Sequence, residues 1–430
     1  MHSYLSLSIF VNLSPNHNNW TKRGYVRSKL NNSRLLIYSH DSFGLGHLRR
    51  CRTIAHELVD RYKGLSVLIM TGSPIIGRFD FKARVDFIRI PGVIKLHNGE
   101  YTSLGLHIDL SETLALRESI IFNTCKMFQP DIFLVDKEPG GLKGEVITTL
   151  EYFKETETRC ILGLRDIMDA PDLLKKEWQQ KKALPLLENY YDEIWVYGPQ
   201  QMGDPLAGIP VPQQVKDKTL YTGYLHRQLP EQTDTETIDF PDRPYILVTP
   251  GGGGDGIEMI DWVLRAYESC AQLMPALFVL GPFMAATERN LFLQRAQLLE
   301  HVTAITFSNH LEHLMAQSDA VIAMGGYNTF CEILSFDKAA LILPRSEPRQ
   351  EQLIRAQNAA SIGLLSMLDL SSQRLTEDMI EAIGNLQLQQ KPSSQSVDKL
   401  LNGLDFVGQR FGHLVENEPD SASIQNIAAE

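Results

Sequence analysis

The sequence lacks several features that would assign a function directly. It contains no run of about 18 consecutive apolar residues, so we predict no membrane-spanning helix. Its five cysteines are scattered and form no C-x-x-C pair, which predicts reduced thiols in a cytoplasmic protein, without a zinc site or a disulfide framework. Basic residues are not in excess, with 41 Lys and Arg against 52 Asp and Glu, so no nucleic acid is expected as a partner.

The remaining composition is typical of a folded protein with more than one domain. Hydrophobic residues make up 43% of the 430 positions and charged residues 22%, so each half of the chain can bury a core. A formal net charge of −11 does not prevent the binding of small anions, because helix N-termini and a few arginines can hold a pyrophosphate on an acidic protein.

Short apolar runs alternate with helical patterns along most of the chain, and this alternation predicts parallel sheets covered by helices on both faces. We therefore predict an α/β fold of two Rossmann-like, doubly wound domains that face a central cleft. The predicted strands are residues 34–40, 66–72, 85–91, 130–136, 159–166, 193–198 and 218–224 in the first half, and 245–250, 277–282, 302–307, 320–325 and 340–344 in the second.

A polar, acidic and proline-flanked segment separates the two halves and is the best candidate for a linker. The N-terminus is rich in Asn and Ser and lacks the basic start and cleavage site of a signal peptide, so we expect a poorly ordered extension there. The predicted divisions are an extension at 1–32, an N-terminal domain at 33–228, a linker at 229–243, a C-terminal domain at 244–415 and a polar tail at 416–430.

The first candidate site is a glycine loop between the first predicted strand and the first helix. Gly44 and Gly46 allow a sharp turn of the backbone, and the following helix N-terminus presents unpaired N–H groups that favour an anion. His47 would then lie at the edge of the sheet, where it can act as a general base or donate to an anionic group. The alternative is a simple strand-to-helix turn with a capping histidine, and the spacing alone does not separate the two.

The second candidate is the glycine-rich loop 251–256, which satisfies G-x-G-x-x-G and lies between a predicted strand and a helix. A dinucleotide-binding fold would place an acidic residue at the end of the next strand to bind the ribose hydroxyls. That strand ends in Gly281 and Pro282 instead, which disfavours a nicotinamide cofactor. A loop that cradles a diphosphate and a simple glycine-rich turn both stay open, with Gly251, Gly252 and Gly253 as the candidate residues.

The third candidate follows the predicted strand 320–325. Gly325 and Gly326 open a helix there, so their amides can face a diphosphate, and Asn328 and Thr329 suit its first turn. Glu332 follows on the same helix in an otherwise apolar stretch, where a carboxylate can accept two hydrogen bonds from a ribose diol. The alternative for Glu332 is a surface or capping carboxylate.

A group of polar residues begins the helix after the strand 340–344, at the same predicted sheet edge. Arg349, Glu351 and Gln352 have the donors and acceptors that the hydroxyls of a sugar require. We therefore include them in the candidate donor site.

These segments resemble glycosyltransferase family 28. The chain is most similar to an uncharacterised group of predicted glycosyltransferases related to the N-acetylglucosaminyltransferase of peptidoglycan lipid-intermediate synthesis. The resemblance runs from about residue 34 to residue 383, and its specific motifs lie in the second half. The matching residues are Gly325, Gly326, Asn328, Thr329, Glu332, Pro344, Glu351 and Gln352, with Gly44, Gly46 and His47 similar to the glycine loop of the family's N-terminal domain.

The resemblance implies a GT-B fold, a nucleoside-diphosphate sugar as donor, expected to be a UDP-sugar, and inversion at the sugar. By the same analogy Glu332 would bind the ribose, Glu351 and Gln352 the sugar, and His47 would be the base or a group on the acceptor side. The diphosphate would be held by Gly325, Gly326 and Thr329. The basic and hydrophobic membrane-docking patch of the related cell-wall enzyme is not found here.

No D-x-D motif occurs in the chain, which favours a donor diphosphate neutralised by amides and helix dipoles without a metal. We therefore expect a metal-independent hexosyltransferase that needs no cofactor beyond the nucleotide sugar and that uses an unidentified acceptor hydroxyl. Two alternatives stay open: a nucleotide-sugar epimerase or hydrolase of the same superfamily, and a non-catalytic sugar-nucleotide-binding protein.

Overall fold

The computed structural model describes residues 32–40, 46–95, 100–229, 244–252, 254–308 and 310–416. The predicted extension 1–32, linker 229–243 and tail 416–430 lie almost entirely outside these ranges, and so do Gly44 and Gly253. Within the described ranges, no helix is both long enough and apolar enough to cross a membrane.

The N-terminal half is built on a parallel sheet of seven strands in the order β3-β2-β1-β6-β7-β8-β9, and the other two strands, β4 and β5, form an antiparallel hairpin that the sequence did not predict. The strands are β1 (Arg34–Ser39), β2 (Ser66–Thr71), β3 (Val85–Arg89), β4 (Val93–Lys95), β5 (Tyr101–Ser103), β6 (Ile132–Asp136), β7 (Arg159–Arg165), β8 (Glu193–Tyr197) and β9 (Thr219–Tyr221).

The C-terminal half repeats the plan with a parallel sheet of six strands in the order β12-β11-β10-β13-β14-β15. The prediction of two parallel sheets is confirmed. The strands are β10 (Ile246–Thr249), β11 (Ala276–Val279), β12 (Val302–Ile305), β13 (Ala320–Ala323), β14 (Ala339–Ile342) and β15 (Ser366–Met367).

Helices connect the strands and cover both sheets. In the N-terminal half they are α1 (Gly46–Arg61), α2 (Leu110–Phe128), α3 (Ile147–Phe153), α4 (Pro171–Gln180), α5 (Ala183–Tyr190) and α6 (Gln213–Asp217). The second half contributes α7 (Ile257–Ser269), α8 (Ala286–Gln297), α9 (Leu311–Gln317), α10 (Tyr327–Ser335), α11 (Glu351–Ser361), α12 (Thr376–Asn385) and α13 (Gly403–Glu416).

The local sequence explains where several of these elements begin and why they are buried. Asp109 caps α2, because its side chain accepts from the Glu112 amide at 2.8 Å while the Glu112 carboxylate accepts from the Asp109 amide at 3.3 Å. Every residue of β6 and β10 is buried, as expected for central strands covered on both faces.

The last helix returns to the N-terminal domain, although the sequence assigned residues 244–415 to the C-terminal one. Along α13, the Gly408 carbonyl accepts from the Tyr62 hydroxyl at 2.8 Å, and Arg410 Nε donates to Glu193 at 2.7 Å. Apart from α13, which packs on the N-terminal domain, the domain boundaries stay a prediction.

One core cluster contains buried side chains from both domains, so the two halves pack directly against each other. Tyr224 at the end of the N-terminal domain lies with its ring centre 5.1 Å from that of Phe330 on α10. This packing brings the carboxyl ends of the two sheets close together, and most of the predicted site residues lie there.

Candidate active site

His47 lies in the first turn of α1, beside the carboxyl end of the N-terminal sheet. Its Nδ1 is 2.5 Å from Oδ2 of Asp136, the last residue of β6. The two meet because β1 and β6 are neighbours in the sheet, with Leu35 opposite Ile132, so the helix after β1 starts next to the end of β6. The carboxyl edge of a parallel sheet is where ligands of such folds bind.

Asp136 is held as an ionised carboxylate by Arg50, one turn further along α1. Arg50 Nε donates to Oδ1 at 2.9 Å and Nη2 donates to Oδ2 at 2.8 Å, which makes a bidentate ion pair between two buried groups. Although burial acts against the charge, Arg50 and His47 hold the pKa of Asp136 well below its ordinary value. The carboxylate therefore carries a negative charge at neutral pH.

The charge of Asp136 decides which nitrogen of His47 carries the proton. An ionised carboxylate only accepts, so Nδ1–H donates to it and Nε2 is left as an acceptor. Nη2 of Arg50 also approaches Nδ1 at 3.1 Å, but that group already donates to both oxygens of Asp136. Burial lowers the pKa of His47, with Asp136 opposing the shift, so the ring is neutral at pH 7 and Nε2 can accept a proton.

Gly46, the described glycine of the first candidate loop, meets the C-terminal domain directly. Its carbonyl accepts from the Asn328 side-chain amide at 3.0 Å, and Arg227 donates to the Asn328 side-chain oxygen at 2.7 Å. Asn328, predicted to lie on the donor side, therefore bridges the two domains in this structure.

Glu332, which the sequence predicts to bind a ribose diol, is not accessible to a ligand in this structure. Its side chain is fully buried, and one oxygen accepts from Arg49 Nη2 at 2.5 Å. The reason is that α1 of the opposite domain reaches it, and Arg49 contacts Glu312 as well. The second oxygen, Oε2, is buried with no hydrogen bond in the described part of the chain, and burial raises the pKa of Glu332. The carboxylate thus has one position left for a donor.

Gly325 and Gly326 follow β13 and start α10 as predicted. Gly325 has φ of +76°, and a Cβ there would lie 2.8 Å from Cγ2 of Ile342, so both backbone and space require glycine. A Cβ on Gly326 would meet nothing closer than 4.0 Å. The backbone at the start of α10 is therefore open enough for a ligand to approach.

The second glycine loop lies beside the third candidate, because β10 and β13 are neighbouring strands. A Cβ on Gly251 would lie 3.7 Å from the hydroxyl of Thr329, and one on Gly252 would meet nothing within 4 Å. The two loops that the sequence proposed separately for a diphosphate thus form one surface.

The predicted sugar-binding residues already have protein partners. Arg349 Nη2 lies 3.0 Å from Oε2 of Glu177 on α4, in the opposite domain. Glu351 is almost fully buried and accepts from Arg345 at 2.9 Å, while Gln352 accepts from the Arg345 amide at 3.3 Å. All three lie at the predicted edge, and the structure does not test their binding role.

Sequence reasoning missed the partners that hold the two domains and the histidine in place. Asp136 carried a signal, since it ends a buried strand and so had to lie at the carboxyl edge. Asp166 follows β7 in the same way and accepts from Nε and Nη2 of the fully buried Arg355 at 2.7 and 2.6 Å. The sequence does not reveal which strands are neighbours, and that order is needed to pair Asp136 with His47 and Asp166 with Arg355.

A depression of about 490 Å³ lies at the opposite, amino edge of the N-terminal sheet, between Arg159 at the start of β7 and Asp192 before β8. It contains neither glycine loops nor the histidine. We place the candidate site at the carboxyl edges, where the charged groups and open amides meet. Within the described residues, no group of three His, Cys, Asp or Glu side chains could hold a metal ion.

The chain is similar to known glycosyltransferases in sequence and in structure. Residues 277–403 match the glycosyltransferase family 28 C-terminal domain. An uncharacterized glycosyltransferase of Methanosarcina acetivorans is 22% identical over 354 residues, which cover 76% of this chain and 84% of that protein.

Solved structures of similar architecture include MurG of Acinetobacter baumannii, with 12% identity, a TM-score of 0.55 and coverage of 90% of this chain and 100% of that one. Medicago truncatula UGT71G1, solved with UDP-glucose, has 13% identity, a TM-score of 0.58 and coverage of 90% and 99%. A UGT transferase of Siraitia grosvenorii, solved with UDP, has 12% identity, a TM-score of 0.58 and coverage of 89% and 100%.

The architecture shared with these structures confirms the predicted GT-B fold, since two Rossmann-like domains are aligned over nearly the whole chain. The family match lies in the C-terminal half, where the sequence motifs had placed it. Residues 277–403 match the C-terminal domain of glycosyltransferase family 28, and together with the similar glycosyltransferase this supports the chain being a glycosyltransferase.

Proposed function

We propose that this glycosyltransferase moves a hexose-type sugar from a UDP-sugar to an acceptor hydroxyl, with inversion and without a metal ion. The observation that carries the proposal is the His47–Asp136 pair, which lies beside the contact between the Gly46 carbonyl and Asn328 at the start of α10. The family match and the UDP and UDP-glucose complexes of two structural neighbours support the donor class.

The donor diphosphate would lie against the backbone at the start of α10. The amides near Gly326 and the hydroxyl of Thr329 can donate to phosphate oxygens, and the helix N-terminus favours their negative charge. Gly251 and Gly252 on the neighbouring loop leave room for close approach. Amides and a helix dipole fixed in place before the reaction would stabilise the leaving diphosphate, which is the task that a metal ion performs elsewhere.

The ribose would bind Glu332, whose second oxygen has no partner among the described residues. A diol that binds both carboxylate oxygens, one hydroxyl to each, would replace the contact from Arg49. Because Arg49 belongs to α1 of the N-terminal domain, this exchange implies that the domains separate when the donor enters. The sugar would then lie toward Glu351, Gln352 and Arg349.

His47 would act as the base of the transfer step. Its Nε2 takes the proton of the acceptor hydroxyl while that oxygen forms a bond to the anomeric carbon. The bond from this carbon to the diphosphate breaks, and its electron pair stays on the diphosphate oxygen. Asp136 holds the ring in the required tautomer and stabilises the imidazolium that forms, and Arg50 keeps Asp136 ionised.

The donor class is tested by thermal unfolding and calorimetry of the full chain with UDP, UDP-sugars and NAD. A ligand at 100 times its dissociation constant stabilises the folded form by about 2.7 kcal/mol, so UDP should raise the Tm clearly and NAD should not. Stabilisation by NAD alone would contradict the proposed donor.

The catalytic role is tested with His47→Ala and a labelled UDP-sugar. Turnover should fall about 100-fold or more, because a positioned base contributes roughly that factor, while UDP affinity stays unchanged. A raised KM with unchanged kcat would assign His47 to binding. Fast stoichiometric breakdown of the donor in the absence of any acceptor would favour a hydrolase or epimerase instead.

A further inference from the structure

Two cationic side chains lie near the His47–Asp136 pair and make no hydrogen bond to a carboxylate among the described residues. Lys137 follows Asp136 directly, and Arg165 ends β7, the strand next to β6. The register places Gly163 opposite Asp136, so Arg165 lies two residues further toward the cleft. Both side chains are partly buried at the carboxyl edge of the N-terminal sheet.

The Arg165 guanidinium is left unsatisfied. Its Nε is buried and has no hydrogen-bond partner in the described parts of the chain. Asp166 accepts from Arg355 and Tyr224. Glu351 is the carboxylate that acts most strongly on Arg165, but it accepts a hydrogen bond from Arg345, and its Oε2 is buried without a hydrogen bond among the described residues. Burial lowers the pKa of Arg165 to about 10, so it is still charged at pH 7. A buried charged donor without an acceptor is unfavourable unless a ligand completes it.

The ammonium group of Lys137 has a carboxylate nearby but not at hydrogen-bonding distance. Its Nζ comes no closer than 3.7 Å to Oε1 of Glu138, whose other oxygen accepts from Lys181 at 2.7 Å. The backbone at Lys137 has φ of +70°, a conformation that a side-chain-bearing residue adopts only when its surroundings hold it. Burial lowers the pKa of Lys137 to about 8, so most of the ammonium is charged at neutral pH.

We propose that Arg165 and Lys137 form an anion subsite for the acceptor, which would therefore carry a phosphate or carboxylate near the hydroxyl that receives the sugar. The inference rests on the proposed function. Both cations belong to the domain of the base, whereas the donor diphosphate is assigned to the amides of α10 across the cleft. A planar guanidinium matches two anionic oxygens, and the neighbouring ammonium adds a point charge.

The probe for this subsite is inorganic phosphate, titrated by calorimetry into the full chain saturated with UDP. Arg165→Gln and Lys137→Gln should each weaken phosphate binding about 10-fold or more, since each removes a charged hydrogen bond. Lys126→Gln is the matched control, because this exposed lysine in the last turn of α2 loses the same charge in the same domain. It should bind phosphate as the wild type does. Acetate in place of phosphate separates carboxylate from phosphate recognition.

The position of the anion is tested by the titration of His47, followed by NMR and assigned with His47→Ala. Bound phosphate beside the ring favours the imidazolium, so it should raise the pKa of His47 in the wild type and not in Arg165→Gln. A phosphate that binds elsewhere leaves this pKa unchanged and overturns the proposal.

Further outcomes would also overturn it: no binding of phosphate or acetate by the wild type, or equal binding by all variants. If phosphate competes with UDP, or if Arg165→Gln weakens UDP binding, the cations belong to the donor site instead. Wild-type UDP binding is a separate readout, so failure of the proposed donor is distinguishable from failure of the subsite. If Arg165→Gln does not fold, Arg165→Lys is the alternative variant. It keeps the charge but lacks the planar guanidinium that can bind two oxygens, so it should bind phosphate with intermediate affinity.

Discussion

The two domains share one architecture but present opposite chemistry at their carboxyl edges. In the N-terminal domain the edge is made of ionisable side chains, with His47 and Arg50 both bound to Asp136. In the C-terminal domain the corresponding turn, at the start of α10, is made of backbone from Gly325 and Gly326, while the charged Arg349 and Glu351 lie at the start of α11. The β-strand that ends there carries no charged side chain in its last residues.

This difference indicates a division of work between the domains. His47, Arg50 and Asp136 at the N-terminal edge are already paired and oriented, which suits proton transfer at a fixed point. Backbone amides at the C-terminal edge are left for an anionic ligand, and glycine gives that ligand room. A substitution at one edge, compared with a matched substitution elsewhere, therefore tests the role of that edge.

The largest expected effect comes from Asp136→Asn at the N-terminal edge. The variant leaves Arg50 buried without a counter-charge, so we expect a loss of about 3–5 kcal/mol in the free energy of unfolding, measured with urea on the full chain. Asp319→Asn is the matched control in the other domain, because Asp319 is exposed and accepts from the Tyr245 amide. It should cost about 1 kcal/mol or less. Equal losses would show that the N-terminal edge does not depend on this charge pair.

The same variant should also change the pH dependence of stability. The folded-state pKa of Asp136 lies well below its ordinary value of 3.8, so its stabilisation is fully present above pH 3.8 and is lost as the pH falls through the lower folded value. Asp136→Asn lacks this contribution at every pH. The difference in unfolding free energy between wild type and variant should therefore be constant near neutrality and shrink in strong acid.

At the C-terminal edge, Glu332→Ala should weaken UDP binding about 10-fold or more, because a charged acceptor for the ribose is lost. The control is Glu312→Ala, since both carboxylates contact Arg49 and only Glu332 is assigned to the ribose. Calorimetry with UDP separates them. Equal affinities for wild type and Glu332→Ala would remove Glu332 from the donor site, and an equal loss in both variants would point to Arg49 instead.

The sequence predicted both sheets because their strands are buried apolar runs bounded by glycine and proline, and it placed His47 and Gly326 at the correct edge. The β4–β5 hairpin was missed, since its strands have only three residues each. Asp136 was visible as a strand end, but its pairing with His47 depends on β1 and β6 being neighbours.

The burial of Glu332 could not be predicted for a different reason. Nothing near it in sequence indicates Arg49, which lies 283 positions away on a helix of the other domain. Local patterns report which face of an element is apolar, whereas contacts between domains depend on how the two halves come together. The same holds for Arg349 and its partner Glu177.

The smallest expected effect tests the backbone character of the C-terminal edge with two adjacent glycines. Gly325→Ala should destabilise the fold by about 1–2 kcal/mol, because φ is +76° and the new methyl would lie 2.8 Å from Ile342. Gly326→Ala should change the unfolding free energy by less than about 0.5 kcal/mol, because φ is −56° and the space is open.

That open space is where the diphosphate is proposed to bind, so Gly326→Ala should weaken UDP binding about fivefold, since one crowding methyl costs on the order of 1 kcal/mol. Urea unfolding and UDP calorimetry on the same two preparations separate the effects. Gly325 is constrained by its backbone and Gly326 is not. If Gly326→Ala binds UDP more weakly but unfolds at the wild-type free energy, the added methyl group interferes with UDP directly. Full UDP affinity in a stable Gly326→Ala variant would place the diphosphate elsewhere and remove the contrast between the two edges.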